Sequence, residues 1–190
     1  MKPLYPILLS LLLAPSLYAD VPWTIDEWEE RWQSIDESVE KKHLGDRDIG
    51  GDEIGGTYSA RSYMVELSKT EDRSITAAIR LVAVPSVGEI MEYSFMIMEN
   101  DAEGNPLLPP ASPSHQPTAE EISQTLELLS GEAIKDISEL EKLPVSEEEL
   151  GVVEGKETKE VRRLTENAVL IIHHVLYSDM VRFEIRKKAR

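Results

Sequence analysis

The chain contains no cysteine. That excludes disulfides, thiolate metal sites, dithiol redox chemistry and a lipid anchor on an N-terminal cysteine. Aromatic residues make up 6%, with only two phenylalanines, so the core has to be built from aliphatic side chains around a few rings. Basic residues are in the minority, 20 Lys and Arg against 36 Asp and Glu, for a net charge of −16. A surface this acidic is repelled by DNA, RNA and anionic lipid, which argues against a nucleic-acid partner. Long apolar runs are missing as well, with one exception at the N-terminus.

That exception is the segment from Leu4 to Leu17, preceded by Lys2 and followed by Tyr18-Ala19-Asp20. It has the order of a secretory signal peptide and is short for a bilayer span. We therefore expect residues 1–19 to be a signal peptide and residues 20–190 to form a single exported α+β domain, periplasmic or secreted. Removing 1–19 leaves 19 basic against 36 acidic residues, or −17. No later apolar run reaches membrane length, so no membrane insertion is expected after cleavage. The remainder must hold its fold by core packing alone.

Three helices are expected. Thr24 and Glu27 form a capping box for the first, over 24–44, with Ile25, Trp28, Trp32, Ile35 and Val39 on one stripe and Gly45 at its end. A second capping box, Thr118 and Glu121, starts a helix striped by Ala119, Ile122, Leu126 and Leu129 and ending at Gly131. The third covers 132–142 and stops before Pro144. Ser146 and Glu149 offer one further capped turn.

The glycine-rich stretch DRDIGGDEIGG, 46–56, reads as a flexible loop. Strands at 57–67, 74–84 and 89–99 follow with short connections, a three-strand antiparallel meander. Five prolines between 106 and 117 mark a connection at about 100–117. Val152-Val153 and 157–165 read as strands. Ala168–Tyr177 is apolar without alternation, as expected of a strand covered on both faces. A turn near Ser178-Asp179 leads to a return strand, in which Val181, Phe183 and Ile185 alternate with Arg182, Glu184 and Arg186, the pattern of one wet face. The rival reading is a helix through Val161, Leu164, Ala168, Ile171 and Val175. The fold class is thus α+β, an antiparallel sheet with three helices packed on it.

Candidate sites compete with structural roles. His173 and His174 are adjacent and would point to opposite faces of a strand, so they cannot readily share a metal; a strand histidine bonded to a neighbour is expected. His43 reads as a helix-end histidine and His115 as solvated. Met96 and Met98 share a strand face, a candidate for a soft metal but more simply core filling. Asp46, Asp48, Asp52 and Glu53 resemble the start of a calcium loop. Gly50 and Thr57 stand where ligands are needed, so calcium binding should be weak. No nucleophile motif and no phosphate loop occur, and no cofactor is expected. Trp23, which precedes the first cap, and Glu27, Glu30 and Glu37 on the acidic first helix are the candidate partner-binding residues.

The expected function is a non-catalytic exported binding module with a protein partner, a basic partner being the sharper form of that expectation. The alternatives are a small acidic inhibitor or immunity-type protein that blocks a basic enzyme, and a metal-dependent binder or hydrolase.

Overall fold

The computed structural model describes residues 21–51, 56–107, 115–131, 136–144, 157–175 and 180–187. The first capping box forms as expected. Thr24 accepts from the Glu27 N–H at 3.3 Å, and Glu27 Oε2 accepts from the Thr24 N–H at 3.0 Å. It opens helix α1, Ile25–Ser34. The helix stops ten residues short of the expected Leu44. The Asp36 carboxylate takes the Ser38 N–H at 2.8 Å, a local turn that competes with helix propagation. Lys41 Nζ then satisfies the exposed carbonyls of Trp32 and Ile35 at 2.9 and 2.7 Å. The stripe keeps its role nonetheless, because Trp28 and Ile35 are buried and Val39 packs on the core from the connecting loop.

The next segment is strand β1, Lys41–Gly51. The expected flexible loop at 46–56 is therefore largely strand: Asp46 to Gly51 pair with Arg61 to Gly56 of β2, Gly56–Lys69. Gly45, at φ +133, takes up the register shift between His43 and Gly45, a backbone conformation that a side chain would resist. β3, Arg73–Val84, and β4, Glu89–Asp101, follow with bounds within two residues of those expected.

Helix α2, Ala119–Ser130, carries the second capping box and ends at Gly131, φ +73, whose N–H bonds to Glu127 O at 2.7 Å. Its last turn has no basic residue of its own. Arg31 of α1 supplies the charge, its guanidinium lying over Gly131 with Nη2 3.5 Å from Ser130 O.

Within the expected third helix, residues 132–135 lie outside those described, and the remainder is a short 3₁₀ turn, Ile137–Glu139. Arg162 explains the difference. Its Nη1 donates to the carbonyls of Ile137, Ser138 and Leu140 at 2.8, 3.1 and 3.0 Å, turning them toward a side chain and away from a helical ladder. The chain beyond runs beside β5, Glu157–Arg163: Leu143 N–H bonds to Val161 O and Arg163 N–H to Glu141 O, both at 2.9 Å. Val152-Val153, Ser146, Glu149 and the Ser178-Asp179 turn lie outside the described residues.

β6, Ala168–Val175, and β7, Met180–Lys187, complete the sheet. Leu170 faces Ile185 on one side and Arg162 on the other, which excludes the rival helix. All seven strands are antiparallel, in the order β1-β2-β3-β4-β7-β6-β5. The expected three-strand meander is thus four strands long, since β1 adds to it, and the C-terminal strands join it through β4 and β7. Two helices, not three, bury side chains on one sheet face among the described residues. Trp28, Leu126 and Leu129 meet Val65, Ile79, Tyr93, Phe95, Leu170 and Phe183 in a single cluster.

Candidate functional site

β6 is covered on both faces as its composition implied: Leu170 and Ile172 are buried on the helix side, Ile171 and His173 on the other. The return strand departs from its expected wet face. Arg182 and Arg186 are about half exposed, but Glu184 between them is buried at 2%. The register explains its surroundings, because Glu184 faces Ile171 on β6 and Ser94 on β4, one step from Glu92 and Arg186.

A charge network results. His173 Nε2 lies 3.0 Å from Glu184 Oε2, and Arg182 Nη2 lies 3.5 Å from His173 Nδ1. An arginine nitrogen only donates and a carboxylate only accepts, so the His173 ring stands between a donor and an acceptor. Arg186 Nε is paired with Glu184, and Arg186 Nη2 lies 3.7 Å from Glu92. Burial alone would raise the Glu184 carboxyl. The His173 hydrogen bond and the Arg186 charge outweigh it and hold Glu184 below the ordinary glutamate value. Glu92 moves the other way, pushed up by burial and then by the charge of Glu184. Oppositely tuned carboxylates also occur in acid–base pairs. Here Glu184 is sealed and spends its charge on its neighbours, so the network joins β4, β6 and β7.

His173 is thus the strand histidine bonded to a neighbour, and His174 is exposed. His43 lies on β1 and not at a helix end, stacked 4.8 Å from Tyr63 with Nε2 2.7 Å from Asp46. His115 is not solvated: Nε2 lies 2.8 Å from Glu121 Oε2. Met96 and Met98 are partly buried near Leu107 and His115. Of the calcium-loop residues, Asp46 is taken up by His43 and lies 3.7 Å from Arg61, Asp48 lies on the same strand, and Asp52 and Glu53 are outside the described residues. Among the described residues no three His, Asp or Glu side chains converge as a metal site.

The expected partner-binding residues are not brought together. Trp23 is 8% exposed and edge-on to Tyr93 at 6.0 Å. Glu27 Oε2 is occupied by the N–H groups of Trp23 and Thr24. Glu30 is exposed on α1, and Glu37 is exposed beyond its end.

What the folding does create is a cleft of about 420 Å³ between the end of α1, β2 and the C-terminal half of α2. Its apolar wall comes from Ile35, Val39, Val65, Leu67 and Leu128; Arg31, Glu66, Gln124 and Glu127 supply polar groups. Ile35 and Val39, in the segment that follows the early end of α1, form one side of it. Sequence periodicity missed it because a continuous helix to Leu44 would carry Val39 elsewhere. The size lies within the roughly 300–1,000 Å³ usual for ligand sites.

No protein-family model matches the chain, and no curated protein and no solved structure matches it. No helix among the described residues is long and apolar enough to cross a membrane.

Proposed function

We propose that the protein is an exported binding module whose site is the cleft between α1, β2 and α2, with a basic, apolar-anchored protein segment as its partner. The observation that carries the reading is the cleft itself. An apolar wall of Val39, Leu67 and Leu128 stands beside Glu66 and Glu127, and Asp36, Glu37 and Glu40 belong to the loop that borders it. Apolar side chains provide the anchor and the surrounding acids select the sign of the partner. Inhibition of a basic enzyme is one form that such binding can take.

Export rests on the N-terminal segment. Val21, two residues beyond Ala19, is buried at 2%, so the described core begins just after the expected cleavage point. N-terminal sequencing of exported protein should begin at or near Asp20; soluble cytoplasmic protein that retains Met1 would refute export.

The partner is tested by capture from the exported fraction, followed by association kinetics with the purified partner. Leu128→Lys combined with Glu127→Lys should abolish binding, whereas Val87→Lys, on the exposed β3–β4 turn, should leave it intact. The association rate should also fall steeply between 0.1 and 1 M salt, where the Debye length shrinks from about 10 to about 3 Å. Neutralising Glu30 and Glu37 should slow it further. Glu27 is left alone because it caps α1. A captured protein that binds the double cleft variant normally, or at a salt-independent rate, refutes this assignment.

A further inference from the structure

A second concavity, of about 220 Å³, opens on the other face of the sheet near the β2–β3 turn and the end of β4. It is built differently. Ser74, Thr76 and Asn100 line it and are 9%, 4% and 3% exposed. Cross-strand pairing places them: Ser74 faces Asn100 across the β3–β4 ladder, and Thr76 follows Ser74 on the same face of β3. The Asn100 amide nitrogen donates to Thr76 Oγ1 at 2.9 Å and lies 3.5 Å from Ser74 Oγ. That leaves the two hydroxyl protons and the Asn100 side-chain carbonyl with no hydrogen bond to a described residue. The Asn100 amide serves both hydroxyl oxygens, and the remaining capacity is two donors and one acceptor beside a cavity.

The charges at the rim bear on the ligand. Lys69 lies 3.5 and 3.2 Å from Glu40 and Glu66, Arg73 lies 2.6 Å from Glu99, and Lys41 Nζ is held by the Trp32 and Ile35 carbonyls at 2.9 and 2.7 Å, so three of the four lining cations are already engaged, and Lys42 is the fourth. Glu71 and Glu103 add further negative charge. The five lining carboxylates, Glu40, Glu66, Glu71, Asp101 and Glu103, outnumber the four cations, so an anion has little to gain. A hydroxyl both donates and accepts, which matches a floor offering donors and an acceptor at once, and Met64 gives the cavity wall an apolar side chain. The volume is below the range for drug-sized ligands, so the occupant has to be compact.

We propose that this pocket binds a neutral polyhydroxylated ring, of the size of one pyranose sugar, through Ser74, Thr76 and Asn100. The two concavities share Glu66, but Ser74, Thr76 and Asn100 line only this one, so either assignment can fail alone.

Amide chemical shifts of the full chain should be followed during titration with glucose, galactose, mannose and N-acetylglucosamine, and separately with inorganic phosphate. At least one neutral sugar should produce saturable shifts centred on Ser74, Thr76 and Asn100. Ser74→Ala and Thr76→Val, each confirmed as folded from its spectrum, should weaken that binding about five- to tenfold, the loss of a hydrogen bond or two. Absence of saturable shifts with all four sugars, shifts centred elsewhere, or a response to phosphate in place of the sugars would overturn the proposal. The wild-type titration decides the matter even if one variant fails to fold.

Discussion

Phe183→Ala is expected to lower the unfolding free energy by about 3–5 kcal/mol, and Leu170→Ala by about 2–5 kcal/mol, through the cavities they leave. Phe183 is 1% exposed and stacks face to face on Phe95, with ring centroids 4.7 Å apart and planes 9° from parallel. These are the chain's two phenylalanines, paired directly across the β4–β7 ladder. That ladder joins the N-terminal meander to the C-terminal strands, so the cavity falls at the seam of the sheet. Leu170, fully buried on the adjacent strand, faces Ile185. With no disulfide to restrain the unfolded chain, the whole cost should appear in the equilibrium. Each kcal/mol corresponds to roughly 2–4 °C in Tm for a chain of this size. Phe183→Leu, which keeps most of the apolar volume, should cost far less. Urea midpoints unchanged from wild type for both alanine variants would place the core elsewhere.

How far the sequence foretold the molecule depends on the range of the interactions involved. The two capping boxes, Thr24 with Glu27 and Thr118 with Glu121, are local hydrogen bonds, and both form where they were read. The strand readings at 74–84 and 89–99, joined by a short connection, located β3 and β4 because strand runs and tight turns are local signals. Errors arise where a distant group decides. The early end of α1 needs Lys41 to reach back to the carbonyls of Trp32 and Ile35. Where the third helix was expected, the described residues form a 3₁₀ turn because Arg162, more than twenty residues away, collects their carbonyls. The glycine-rich run from Asp46 becomes strand because β2 offers it a partner, which glycine content does not reveal.

The cleft follows from the first of these errors and was hidden with it. Glu184 was half legible. Its flanking arginines were plain, and β6 was read as covered on both faces, which implies cover over the same height of β7. Joining those two readings gives a buried carboxylate between cations. Its link to Glu92 through Arg186 required the β4–β7 pairing, a long-range fact.

Glu184→Gln should destabilise the protein by about 1.5–3 kcal/mol at neutral pH, the range for hydrogen bonds to charged groups. Removing one member of a fully buried ion pair costs about 3–5 kcal/mol, but Arg182 and Arg186 are half exposed and can recover water, so the smaller range applies. The pH dependence gives a sharper test. Glu184 lies below its ordinary value of 4.5 in the fold, so its contribution is complete above that value and is lost as pH falls through the depressed one. Glu92 is displaced upward, so its ionisation opposes folding, and acidification relieves that penalty first. Lowering the pH from 7 should therefore bring a small gain from Glu92 before the loss from Glu184 below 4.5. Glu92→Gln should remove the early gain. Glu184→Gln should remove the later loss and shrink the early gain, because the charge that helps to raise Glu92 is gone. The two variants touch one network, so the double variant should depart from additivity by more than about 0.5 kcal/mol. Urea midpoints at pH 7, 5, 4 and 3 measure all of this. A Glu184→Gln protein with the stability and acid sensitivity of wild type would mean that His173 and Arg186 gain nothing from the carboxylate between them.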